Sequence, residues 1–201
     1  SLGAIASDNL VYQMGVAVAA QCKRLGIQVN YAPDVDINNN PGNPVINERS
    51  FGQNKQRVIQ HGIAYMKGMQ DNGIMATAKH FPGHGDVSVD SHVDIPMINK
   101  SMEQLTEMEL APFKALIDAG IESVMVGHLS VPAIDNRPKY ATSLSYKAIN
   151  NLLKKDLGFK GITVTDALDM KAISNYFPKG EANVQAILAG IDMLCLPGDI
   201  G

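Results

Sequence analysis

The chain has 201 residues, 45% of them hydrophobic and 18% charged, with a formal net charge of −3. That length and composition suit one buried domain or a piece of a larger one, and they exclude a collagenous or disordered chain. The acidic balance gives no basic face for nucleic acid. The apolar runs are far too short to span a membrane, and the opening SLGAIASDNL lacks the basic start and apolar core of a signal peptide. Cytoplasmic, periplasmic and secreted placement all stay open. Cys22 and Cys195 lie far apart and are expected to be reduced.

In chain order, one phrase recurs five times: an amphipathic helix, a glycine, and an apolar strand ending in polar residues. The first helix spans Asp8 to Leu25, with Val11, Met14, Val18 and Cys22 on one face, Asp8 as cap and Gly26 as stop. Ile27 opens the strand QVNYAPDVD. The second helix runs from about Lys55 to Asp71 and stops at Gly73 before IMATAKHF. The third begins at Ser101 with Gln104 completing a capping box, and stops at Gly120 before ESVMVGH. The fourth covers about Ser145 to Leu157, ends at Gly158 and leads into GITVTD. The fifth, about Ala182 to Ala189, ends at Gly190 before IDMLCLP.

Helices alternating with strands predict parallel pairing, and strands apolar throughout predict helices on both faces. A β/α barrel and an open doubly wound sheet both satisfy this. No Gly-x-Gly-x-x-Gly turn follows the first strand, which weakens a dinucleotide fold. Polar residues favour the barrel: Asp34 and Asp36, Lys79 and His80, His128, and Asp166 each fall at the end of a different strand. Five strands cannot close an eight-stranded barrel. Either further strands lie outside this chain, or the barrel reading fails.

The densest chemistry is Lys79-His80-Phe81-Pro82-Gly83-His84-Gly85-Asp86, followed by Asp90-Ser91-His92. Lys79 and His80 at a strand end can donate to an uncharged polyol, and the Pro and Gly residues force a loop over the same rim. Asp90 lies two residues before His92, close enough to orient an imidazole as a general acid and base. A solvated loop with capping aspartates is the competing reading. His80, His84, Asp86, Asp90 and His92 are also metal-ligand types, but the glycines break any helical presentation and Lys79 opposes a cation. Asp166 can be a nucleophile or the N-cap of the next helix, and spacing does not choose. Arg49, in NERSFG, can reach a substrate oxygen with Glu48 as its partner, although such neighbours are usually solvated.

Taken together, YAPDVDINNNPGNPVINERSFG, AKHFPGHGDVSVDSHVDIP, VMVGHLSVP, GFKGITVTDALDM and AGIDMLCLPGD resemble the N-terminal barrel domain of glycoside hydrolase family 3, in its β-N-acetylglucosaminidase branch. The combination of KHFPGHG with a following DSH is specific to that branch. The resemblance implies a TIM (β/α)8-type barrel, here an incomplete internal fragment of about five β/α units covering residues 1–201. It implies removal of terminal β-linked N-acetylglucosamine with retention, from a muropeptide or other oligosaccharide, with no metal or other cofactor. It makes Asp166 the nucleophile, His92 and Asp90 the acid/base dyad, and Arg49, Lys79 and His80 ligands of the sugar. A His-Asp dyad departs from the two carboxyl groups about 5–5.5 Å apart of most retaining enzymes.

The chain lacks the family's upstream DxEGG-like segment. Asp34 stands where the family more often has an apolar residue and receives no role, and Asp36 matches a structural aspartate. The competing functions are a β-glucosidase of the same family, a catalytically incomplete carbohydrate-binding fragment, and a metal-dependent hydrolase. An incomplete barrel would expose strand edges and apolar surface, which predicts self-association or marginal stability.

Overall fold

The computed structural model describes residues 2–87, 94–178 and 180–198. Helix α1 (Asp8–Arg24) leads to strand β1 (Val29–Asn30), and α2 (Lys55–Gln70) to β2 (Met75–Phe81). Helices α3 (Met102–Glu107) and α4 (Leu110–Asp118) precede β3 (Ser123–Val126). A π-helix, π1 (Lys147–Asp156), precedes β4 (Ile162–Thr165), and α5 (Lys171–Ser174) and α6 (Glu181–Leu188) follow. Among the described residues the strands form one parallel sheet in the order β1-β2-β3-β4, as successive right-returning β/α units require. The sheet is an arc of a β/α barrel.

The helix boundaries follow local chemistry. Asn54 caps α2 by accepting from the Arg57 N–H, and Ser101 and Gln104 form the expected capping box at α3. The expected cap at Asp8 is corrected: Ser7 is the N-cap, while Asp8 lies inside the first turn and meets His61 Nδ1 at 2.8 Å. Gly26, Gly73, Gly120, Gly158 and Gly190 all carry positive φ after their helices, where a Cβ would be strained.

Two expected elements are shorter than the sequence suggests. The first strand reduces to Val29–Asn30, because Pro33 has no N–H to give to the ladder. Its path nevertheless continues beside β2: Thr77 and Lys79 donate to the Ala32 and Pro33 carbonyls, and Val35 donates to Lys79. The fifth strand reduces to a bridge between Met193 and Val164. There the Asp192 carboxylate takes the Thr163 N–H and hydroxyl at 2.8 and 2.7 Å, and Leu196 adopts a positive φ.

The third helix is broken at Met108–Glu109, where Glu109 turns inward and binds Lys100 at 2.6 Å. The fourth is a π-helix rather than an α-helix. Both cysteines are free thiols, as expected.

The core lies between the sheet and the helices. Phe81 and Phe113 meet edge to face at 5.3 Å, and every residue of β3 is buried. Helices α1 and α2 approach backbone to backbone at Gly15 and Gly68. A Cβ on Gly68 would meet the Tyr12 carbonyl at 2.2 Å, so the contact outweighs the ~1 kcal/mol of helix propensity an alanine would add. No helix among the described residues is long and apolar enough to cross a membrane.

Candidate active site

The ends of β1, β2 and β4 bring their polar residues to one rim. Asp166 follows β4, and its N–H donates to the Val126 carbonyl at 2.9 Å, so strand pairing runs up to the carboxylate itself. The segment beyond is pinned from the other side, with Leu168 donating to Cys195. Asp166 is not a helix cap: α5 is capped at Met170, and the Asp166 Oδ1 accepts from the neighbouring Ala167 N–H at 2.8 Å. Burial opposes ionisation of Asp166. The Ala167 N–H, and any proton held by His80 or His128, favour the charge, and the carboxyl is held below the usual carboxylate range.

Asp166, Arg49, His80, His84, Val45, Ala167 and Met170 line a cavity of about 180 Å³. A larger depression of about 680 Å³ adjoins it and shares Val45 and Arg49, and among the described residues its lining contains no imidazole. The smaller cavity is where the reactive groups converge.

Asp36 organises this site, and the sequence reading gave it no chemical part. Its buried carboxylate accepts from the His84 N–H at 2.6 Å, the His80 N–H at 3.2 Å and the His80 ring Nδ1 at 2.7 Å. Arg49 can only donate, so at 3.3 Å from its Nη2 the His80 Nε2 must be the acceptor. The proton of His80 therefore sits on Nδ1, facing Asp36. Burial pushes the His80 pKa down and keeps the ring neutral, despite Asp34 and Asp166 nearby.

Asn43 is a residue that sequence reasoning missed. Its amide donates to the His84 and Gly85 carbonyls at 2.8 and 3.1 Å and accepts from the Val45 and Ile46 N–H groups. It thereby staples the loop carrying Arg49 to the loop carrying His84. Gly85 permits that approach, since a Cβ there would meet the Ile37 carbonyl at 1.8 Å. His128 is buried beneath Asp166. Its Nε2 donates to the Ala167 carbonyl at 2.9 Å and its Nδ1 accepts from Ser143 at 2.7 Å, fixing the peptide after the carboxylate.

Other expectations change. The acidic partner of Arg49 is Asp34, at 3.7 Å from Nε, whereas Glu48 is exposed. Burial, followed by the Arg49 charge, lowers the Lys79 pKa, opposed by Asp34, Asp166 and Asp36. Asp86 leaves the suggested ligand set by pairing with Lys100 at 2.5 Å. Asp34, Asp36 and His80 offer donor atoms within 4.8 Å of one another, the spacing of a cation site. The Asp36 oxygens are already taken by N–H donors, and Arg49 and Lys79 bring positive charge to the same place, so these groups fit a hydrogen-bonded network better than a metal. Asp90 and His92 lie outside the described residues.

Residues 1–200 match the glycosyl hydrolase family 3 N-terminal domain, and the chain belongs to that family. Beta-hexosaminidase A of Pseudoalteromonas piscicida is 39% identical over 94% of this chain and 33% of its own length. A beta-N-acetylglucosaminidase/beta-glucosidase of Cellulomonas fimi is 33% identical over 96% of this chain and 36% of its own. The solved family 3 beta-N-acetylglucosaminidase of Paenibacillus sp. str. FPU-7 is 43% identical, with a TM-score of 0.94 over 96% of this chain and 37% of that one. The chain thus spans about a third of the length of each of these relatives. The parallel arc is part of the TIM-type barrel to which these relatives belong.

Proposed function

We propose that the protein is a retaining glycoside hydrolase that removes terminal β-linked N-acetylglucosamine. The observation that carries this reading is an ionised, backbone-fixed Asp166 facing a small cavity shared with Arg49, His80 and His84. An Asp166 oxygen attacks the anomeric carbon and forms a glycosyl ester as the bond to the leaving oxygen breaks. His92, oriented by Asp90, gives that oxygen its proton. Water then adds to the anomeric carbon, its proton returns to His92, and Asp166 leaves as carboxylate. Arg49, Lys79 and His80 hold the sugar hydroxyls. Oligosaccharides, including muropeptides, are the substrate class.

The Cellulomonas fimi relative bears both activity names, which favours β-glucosidase as the second reading. Aryl β-N-acetylglucosaminide should be cleaved by the native protein with a higher kcat/KM than aryl β-glucoside, and the opposite order would select the second reading. Sugar binding without cleavage of either would leave a binding module, and loss of cleavage on chelation would select a metal-dependent hydrolase.

Self-association of the 201-residue chain belongs to the same proposal. Val184, Ile187 and Leu188 on α6, with Met193 and Leu196 beyond it, leave large apolar side chains exposed at one end of the arc. Light scattering should give a mass above that of the monomer; a monomer at all concentrations would remove this part.

A further inference from the structure

Among the described residues, Asp34 is an acidic group at this rim that neither the resemblance nor the proposed chemistry uses. It is 7% exposed. Its Oδ1 accepts the Asp36 N–H at 3.2 Å, while its buried Oδ2 has no hydrogen-bond partner. The nearest cationic or ring nitrogens lie beyond hydrogen-bond reach, with Arg49 Nε at 3.7 Å and His80 Nδ1 at 4.0 Å. Arg49 itself is held loosely: its other contacts, to the Val45 carbonyl and His80 Nε2, are 3.4 and 3.3 Å long, and its side chain is 44% exposed.

We propose that Asp34 is a proton-linked positioning residue, whose charge state decides whether Arg49 is drawn inward or left available to the sugar. The claim about sugar rests on the function proposed above; the claim about Arg49 does not. Asp34 and Asp36 are two buried carboxyls with oxygens within 4.8 Å of each other, and such a pair resists double ionisation. Burial raises the Asp36 pKa as well, but the N–H donors from His80 and His84 work against that and favour the charge on Asp36. Asp34 has a single backbone donor and keeps the proton.

Burial first, then Asp36, raises the Asp34 pKa to about 7, against His80, Arg49 and Lys79, which lower it. Protonated, Asp34 has no charge with which to hold Arg49 Nε. Ionised, it places a second negative charge beneath the guanidinium and pulls it away from the cavity it lines with Asp166.

The test follows Asp34 by carboxyl ¹³C and Arg49 by Nε ¹⁵N resonances in the ligand-free protein from pH 5 to 9, with N-acetylglucosamine affinity measured by calorimetry across the same range. The two resonances should titrate together near pH 7, and the dissociation constant should rise up to ~tenfold per unit above it, as single-proton linkage requires. In Asp34→Asn the Arg49 titration and the pH dependence of affinity should both vanish. An Arg49 resonance that ignores the Asp34 titration overturns the proposal, whether or not the variant folds. Affinity that stays flat while the resonances move together overturns its consequence for the sugar. Absence of sugar binding at every pH, with the resonances still coupled, rejects the proposed function and leaves the Arg49 device standing.

Discussion

Replacing Asp166 with alanine is expected to lower kcat for an aryl β-N-acetylglucosaminide by about 10³-fold or more, a loss of ~4 kcal/mol of transition-state stabilisation. The size follows from what the side chain supplies. In the proposed mechanism no ester forms without it, which leaves Arg49, Lys79 and His80 only the sugar binding proposed for them. The fold should survive, because Asp166 is held by its own backbone N–H to Val126 and lines a cavity instead of filling the core. Thermal unfolding of the variant should therefore stay close to that of the parent. Turnover within tenfold of the parent would take the nucleophile role away from Asp166.

The second large effect is on stability. Asp36→Ala should cost about 3–5 kcal/mol, because it removes the acceptor for two backbone N–H groups and one ring N–H inside a dry network. Asp36 is 1% exposed, so water does not replace the lost acceptor. His80 loses the partner that fixes its tautomer, and Arg49 then faces a ring free to reorient. Denaturant unfolding measures the loss directly, and a cost below ~1 kcal/mol would show that the network does not hold the rim together.

The sequence made the repeated unit legible because its signals are local. Gly26, Gly73, Gly120, Gly158 and Gly190 end helices by one backbone mechanism, and the capping box at Ser101 needs only three residues to be recognised. The strand ends were legible for the same reason, since Lys79, His80 and Asp166 each follow an apolar run. What stayed hidden depends on distance in the chain. Asp36 serves His80 and His84, 44 and 48 residues away, and Asn43 reaches His84 across 41. Nothing around Asp34 predicts that it, and not the adjacent Glu48, lies beside Arg49. Hydrophobic spacing also could not separate α from π geometry in Lys147–Asp156, since both present Ala148, Ile149, Leu152 and Leu153 to the core. The weak fifth strand is a side-chain effect: Asp192 takes hydrogen bonds from Thr163 beside the bridge.

In the proposed mechanism Asp166 forms a covalent bond to the sugar. Trapping the native protein with a 5-fluoro aryl β-N-acetylglucosaminide and mapping the labelled peptide by mass spectrometry tests it most directly. One glycosyl adduct is expected, on the peptide carrying Asp166 and absent from Asp166→Ala. An adduct on a different residue, or cleavage with inverted anomeric configuration and no adduct, would contradict it.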